Sequence, residues 1–316
     1  MVAEVRVVTT EPKGWYAQSA TRRAIVLLIL APAVVALGFA GRIAIQSFKD
    51  EYQDYLRTPS TALSLHPEQA GVPGLRDITF AAAGDPTIAA WYAPPSNRAA
   101  VILVHGTESE RSTLLPEVRF LAESGFGVLA LDCPGQGASG GKTHWGVAER
   151  RAIGAAVDWL IQRDEVDPNR IGAFGMSMGA YILTQEAVND GRLRALVLAA
   201  LPHDVAAFTW LATSRWGLLS ELPAYLALRA GGTPLDMPPK DIIGAISPRP
   251  VLIVGGELDP LVPQWMARLM FAAAREPKEL YIVPGGHHAD YAQVAPKEYA
   301  AHVVDFYRRT LTAGSP

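Results

Sequence analysis

The chain has 316 residues, of which 49% are hydrophobic and 19% charged, a balance that excludes disorder and allows one large domain or two of average size. Its formal net charge of −3 and sequence pI near 6.2 leave no electrostatic case for nucleic acid. The single cysteine, Cys133, excludes an intramolecular disulfide.

The first element is apolar on every face. From Ala24 to Gly41 there are eighteen residues without a charge, preceded by Arg22 and Arg23 and followed by Arg42. As a helix this run is ~27 Å long, close to the ~30 Å hydrocarbon thickness of a bilayer. Pro32 would break a soluble helix but is tolerated in a membrane. A transmembrane or signal-anchor helix is expected over 24–46, after an N-terminal tail over 1–23. Two alternatives stay open. Gly38-Phe39-Ala40 resembles a signal-peptide cleavage site, and the run could instead be a buried soluble helix. Arg6, Lys13, Arg22 and Arg23 before the run, against Arg42, Lys49 and Arg57 after it, predict N-terminus inside and the large domain on the extracytoplasmic side of a single-pass membrane protein. Residues 47–74 read as a juxtamembrane linker, opening with Phe48, Tyr52, Tyr55 and Leu56 at helical spacing and broken at Pro59, Pro67 and Pro73.

From residue 75 to the C-terminus, short β-rich runs alternate with helical patterns, as in a parallel sheet covered by helices. Strands are expected at 77–81, 89–93, 100–104, 127–132, 170–174, 195–199, 250–255 and 279–283. Helices are expected at 113–124, 146–163, 178–189, 263–275 and 296–310. The runs 101–104 and 251–254 are apolar throughout, which suits interior strands buried on both faces. The fold class is therefore α/β, a single doubly wound, mostly parallel eight-stranded sheet. Residues 203–247, rich in Trp, Leu and Pro, are too long for an ordinary connection and read as a small inserted cap.

Gly175-Met176-Ser177-Met178-Gly179 lies between an expected strand and an expected helix. This is G-x-S-x-G in the context of a nucleophile elbow, a sharp turn at which a Cβ on either glycine would clash and which lifts a serine hydroxyl above the sheet. A serine needs a base, and the base needs an orienting carboxylate, following in the chain order Ser, acid, His. Asp259, after the strand at 250–255, is the favoured candidate acid, with a cap of the following helix as its structural alternative. Asp204 and Glu257 compete with it. His287 and His288, in Pro284-Gly285-Gly286-His287-His288-Ala289-Asp290, follow the last strand, and either could be the base. Metal binding by His287, His288 and Asp290 is the less favoured reading, with no other ligand cluster visible. The backbone N–H groups of Met178 and Thr107 are the candidate oxyanion donors. His105 reads as a structural loop residue, and Cys133 as a small buried residue at a strand end.

Together these residues resemble the α/β-hydrolase superfamily over roughly 75–310. The similarity is carried by Leu103-Val104-His105-Gly106, Asp132-Cys133-Pro134-Gly135-Gln136-Gly137, Val166-Asp167-Pro168-Asn169-Arg170, the elbow, and Arg249-Pro250-Val251-Leu252. The chain looks closest to a short-cap branch bearing an N-terminal membrane segment, whose members are esterases, lipases or thioesterases. The elbow and the Asp259 region are also similar to prolyl-oligopeptidase-type domains, but no propeller precedes this domain. Dehalogenating members carry aspartate where this chain has Ser177. The resemblance implies hydrolysis of a carboxylic ester or thioester through an acyl-serine, without cofactor or metal, on a small-molecule substrate. Phe208, Trp210, Leu211, Trp216, Leu218, Leu219, Leu222, Tyr225 and Leu226 make the inserted segment apolar, which suits either a medium or long, lipid-like acyl group or simply the packing of the cap itself. It implies His288 as the base, since the family motif Pro-Gly-x-Gly-His-x-Asp sets histidine two residues before aspartate. Acyl transfer to another acceptor and peptide cleavage share that triad, and a non-catalytic binding protein of the same fold is the reading from another class.

Overall fold

The computed structural model describes residue 32 and residues 35–46, 65–81, 86–107, 109–143, 145–205, 218–230, 233 and 235–312. The β-rich runs form eight strands: β1 (Arg76–Phe80), β2 (Ile88–Ala93), β3 (Ala100–Val104), β4 (Gly127–Leu131), β5 (Ile171–Met176), β6 (Leu196–Ala199), β7 (Val251–Gly256) and β8 (Lys278–Val283). They make one sheet in the order β1-β2-β4-β3-β5-β6-β7-β8. β2 is antiparallel to both β1 and β4, and every pairing from β4 to β8 is parallel. The mostly parallel sheet expected from the sequence is thus present.

Period-two alternation divides the core between the two faces of this sheet. Val101 and Leu103 of β3 pack in one layer with Val118 and Leu121 of α1 (Leu115–Glu123). Ala100, Ile102 and Val104 face the other layer, with Ile153 and Val157 of α2 (Val147–Leu160) and Ile182 of α3 (Met178–Asn189). α5 (Gln264–Ala273) joins the second layer, and α6 (Pro296–Tyr307) joins the first through Val303 and Phe306. Because β3 lies between two helical layers, all five of its residues are buried.

Differences from the expected elements are local. The first catalytic-domain helix opens as a 3-10 turn, Arg111–Leu114, before α1, whose first turn contains Pro116. The last helix ends at Tyr307 and gives way to a wider π turn, Arg308–Thr312. β5 runs two residues farther than expected, to Met176, because the backbone stays extended until Ser177 reverses it.

The expected spanning helix is described only in part. Residues 35–46 are helical, with Val35, Leu37, Phe39 and Ile45 exposed, whereas residues 24–31 lie outside the described residues. The described turns cover only about 18 Å at 1.5 Å per residue, and no helix among the described residues is long and apolar enough to cross a membrane. The juxtamembrane helix expected from Phe48 to Leu56 also falls outside them. Within the inserted segment, α4 (Leu218–Ala230) is described, and residues 206–217 are not. The insertion rejoins the sheet layer through Ile243 and Ile246, both fully buried, while Gln185 of α3 donates to the Met237 carbonyl at 3.1 Å.

Candidate active site

The C-terminal ends of the parallel strands carry the chemistry-bearing residues. At the end of β5 the chain turns on Ser177, whose φ of 53° and ψ of −114° place a non-glycine residue in a sparsely populated region. The neighbouring glycines make this turn possible. A Cβ on Gly175 would lie 2.6 Å from Ala180 N, and one on Gly179 would lie 2.1 Å from the Val104 carbonyl oxygen. The Ser177 N–H donates to the Ala199 carbonyl at 2.9 Å, which ties the turn to the neighbouring strand β6. Its own carbonyl accepts the Tyr181 N–H at 3.0 Å and so begins α3.

Asp259 follows β7, and its side chain is wholly buried. Oδ1 accepts the N–H groups of Leu261 at 2.8 Å and Val262 at 2.9 Å, which holds the loop before α5. Oδ2 lies 2.8 Å from His288 Nδ1. The other ring nitrogen, Nε2, lies 3.1 Å from Ser177 Oγ. One imidazole thus bridges the serine and the carboxylate. Asp259 is not the cap of α5, since Pro263 occupies that position; it organises the preceding turn and faces the histidine at once.

The competing candidates lie elsewhere. Asp204 pairs with Lys240 at 3.0 Å. Glu257 Oε2 accepts the Gly285 N–H at 2.8 Å and so splints the aspartate loop to the histidine loop. His287 is exposed, with its N–H donating to Asp290 Oδ1 at 2.7 Å and its Nδ1 3.3 Å from Oδ2. Ala289, at φ +61°, turns the chain just after the pair. Among the described residues no group of three or more His, Cys, Asp or Glu side chains is placed to hold a metal ion.

The loop after β3 borders Ser177: a Cβ on Gly106 would come within 3.5 Å of Ser177 Cβ. Thr107 follows on the exposed side of this loop, while Met178 is buried at the start of α3. His105 is fully buried; its Nε2 accepts the Cys133 N–H at 3.0 Å, so its Nδ1 donates to the Gly106 carbonyl at 2.7 Å. Burial lowers its pKa and keeps the ring neutral. Burial also pushes the Cys133 thiol up, which suits an inert packing residue.

Two features around the site have no periodic signal in the sequence. The Asp132 carboxylate is buried beneath Arg111, accepting the Arg111 N–H at 2.8 Å, the Ala138 N–H at 2.7 Å and the guanidinium. Gln136, between Gly135 and Gly137 in the same loop, is buried against Ser109 and Met178.

Comparison with known proteins gives the same architecture. The profile of the "Alpha/beta hydrolase family" matches residues 101–302. The chain belongs to this family. Among its relatives, the uncharacterized protein Rv2307c of Mycobacterium tuberculosis is 30% identical over 228 residues, covering 69% of this chain and 74% of that protein. The uncharacterized protein YfhR of Salmonella typhimurium is 28% identical over 314 residues, covering 91% of this chain and 96% of that one. The Pyrococcus furiosus esterase Pf2001 shares the fold, with a TM-score of 0.67 and 22% identity over 81% of this chain and all of that one. Within the family, this chain carries a hydrolase fold with an eight-stranded sheet.

Proposed function

We propose that the protein is a serine hydrolase that cleaves a carboxylic ester or thioester through an acyl-Ser177 intermediate. The observation that carries this reading is the continuous chain Asp259–His288–Ser177, with contacts of 2.8 and 3.1 Å. His288 Nε2 takes the Ser177 proton as Oγ attacks the carbonyl carbon, and Asp259 holds Nδ1–H toward itself and stabilises the imidazolium. The carbonyl oxygen becomes an oxyanion, held by the N–H groups of Met178 and Thr107. The imidazolium then protonates the leaving alkoxide or thiolate. Water, deprotonated by His288, attacks the acyl-serine and releases the acid, returning the proton to Ser177.

Ester chemistry is supported by family membership and by the fold shared with an esterase. The apolar residues of the inserted segment, among them Phe208, Trp210, Leu211 and Trp216, favour an apolar, lipid-like acyl group. The uncharged run from Ala24 to Gly41 supports a single-pass membrane tether, with the catalytic domain extracytoplasmic.

A fluorophosphonate should label Ser177 in the full chain, and Ser177→Ala should abolish labelling and lower kcat on the order of 10⁶-fold. A panel of p-nitrophenyl esters, thioesters and anilides identifies the bond cleaved. Undiminished labelling of Ser177→Ala, or turnover by that variant equal to wild type, would refute the assignment. Full-length protein released by alkaline carbonate with Met1 intact would refute the tether.

A further inference from the structure

The loops after β3 and β4 meet the start of α3 beside Ser177, and one side chain that the acyl-transfer scheme leaves without a role joins them. Gln136, in the loop after β4, is only 1% exposed. Its Oε1 accepts the Ser109 N–H at 3.3 Å, two residues beyond Thr107, and its Nε2 lies 3.7 Å from the Met178 sulfur. A buried amide requires partners for both of its ends, and a thioether sulfur is a weak acceptor. Gln136 therefore spans from the loop that carries one candidate oxyanion donor to the residue that carries the other.

Two other ties between the loops, among the described residues, do not reach that far. His105 Nε2 accepts the Cys133 N–H at 3.0 Å, and Asp132 accepts the Arg111 N–H at 2.8 Å. These contacts latch the segment after β3 to the loop after β4 at both ends. Neither touches the elbow, whereas Gln136 does. We infer that Gln136 is a positioning residue, which sets the separation of the Thr107 and Met178 N–H groups and so the fit of the oxyanion hole to the tetrahedral intermediate. The inference rests on the acyl-serine reading above. The hole acts only when both donors stand 2.7–3.1 Å from the developing oxyanion, so a displacement well under an ångström is felt in kcat.

The test uses Gln136→Met, which keeps volume and loses the amide, and Met178→Leu, which removes the sulfur but retains the backbone N–H. Rates are normalised to sites titrated by a fluorophosphonate, so that only folded, competent protein is counted. Gln136→Met should lower kcat roughly 10- to 100-fold, below the full cost of deleting a donor. KM should stay within about threefold, because uniform binding is untouched. Inhibition by a trifluoromethyl ketone, whose adduct places an oxyanion in the hole, should weaken by the same factor as kcat/KM. Met178→Leu should cause a smaller loss that does not add to the first. A purely structural role would lower the thermal midpoint and leave kcat per titrated site unchanged, and that result overturns the inference. If Gln136→Met does not fold, unchanged kcat and ketone inhibition in Met178→Leu overturn it equally. Wild-type protein that is not labelled at Ser177 refutes the acyl-serine reading instead, which separates the two failures.

Discussion

Replacing Asp259 with asparagine tests the proposed relay at the point where geometry decides the outcome. The carboxylate accepts three hydrogen bonds and donates none: Oδ1 takes Leu261 N–H and Val262 N–H at 2.8 and 2.9 Å, and Oδ2 faces His288 Nδ1 at 2.8 Å. Asparagine offers one oxygen and one NH₂ in the same space. If its oxygen keeps the two backbone donors, its NH₂ faces Nδ1, which must then present a lone pair. The imidazole proton moves to Nε2, pointing at Ser177, and the ring can no longer accept the serine proton. The opposite rotamer sets NH₂ against both N–H groups, one of them, that of Val262, buried, which left unpaired costs about 1–3 kcal/mol. The first arrangement therefore wins, and kcat should fall by about 10⁴, the cost of a wrong tautomer in a serine triad. That corresponds to roughly 5.5 kcal/mol of transition-state stabilisation, at about 1.4 kcal/mol per decade. Stability should change far less, by about 1–2 kcal/mol for one charge-assisted hydrogen bond. The assay is kcat on one p-nitrophenyl ester, paired with denaturant unfolding. Asp204→Asn is the control, since that carboxylate pairs with Lys240 and should cost less than ~3-fold. Activity of Asp259→Asn within tenfold of wild type, or silencing by Asp204→Asn instead, would refute the reasoning.

Two further outcomes follow from the same geometry and burial. His288→Ala should lower kcat by several orders of magnitude on an ester substrate, as loss of a triad base does. His287→Ala should cost about tenfold or less through positioning, because that ring lies out against Asp290; the reverse ranking would move the base to His287. Glu117 is fully buried at the α1–α6 contact, accepting the Tyr299 hydroxyl at 3.0 Å, and burial raises its pKa from 4.5 to about 7. The folded state therefore binds this proton more tightly than the unfolded chain, so its stabilising contribution is present below about pH 4.5 and lost as pH rises through 7. Glu117→Gln keeps an acceptor for Tyr299 and removes the titration. Its stability relative to wild type should climb by about 3 kcal/mol between pH 4.5 and 8 in denaturant unfolding, and a difference that stays flat with pH would contradict the burial argument.

What could be read from the sequence was what repeats or what geometry forbids. The unbroken apolar runs of β3 and β7 announced interior strands, and both are buried throughout. Gly175 and Gly179 announced the elbow because no other residue fits there, with clashes at 2.6 and 2.1 Å for any Cβ. Element ends were less legible. Whether β5 stops at Phe174 or Met176 depends on where the turn is enforced, and that is a tertiary matter. His287 and His288 could not be separated by composition, because adjacent side chains in a turn diverge according to backbone angles that no residue type dictates. Helix-capping chemistry was likewise an ambiguous guide at Asp259, since an aspartate that organises a turn and one that orients a histidine look alike until both oxygens have named partners.

Long-range polar pairing left no trace at all in the pattern. Asp132 and Arg111 are 21 residues apart, Glu117 and Tyr299 are 182 apart, and Gln136 and Met178 are 42 apart. None of these pairs falls on a helical or strand period, yet each is buried. Buried polar groups need partners wherever the chain brings them together, and that requirement acts only after the apolar pattern has set the topology. Sheet and elbow could therefore be expected from local rules. The spacing of the proposed oxyanion donors, Thr107 and Met178, depends instead on where the loops after β3 and β4 and the start of α3 converge, and the partners of a loop polar residue such as Gln136 are set only by that convergence. In this fold, then, polar residues flanked by glycines in the loops after interior strands are worth substituting alongside the proposed triad, because their partners are set by geometry that no local rule encodes.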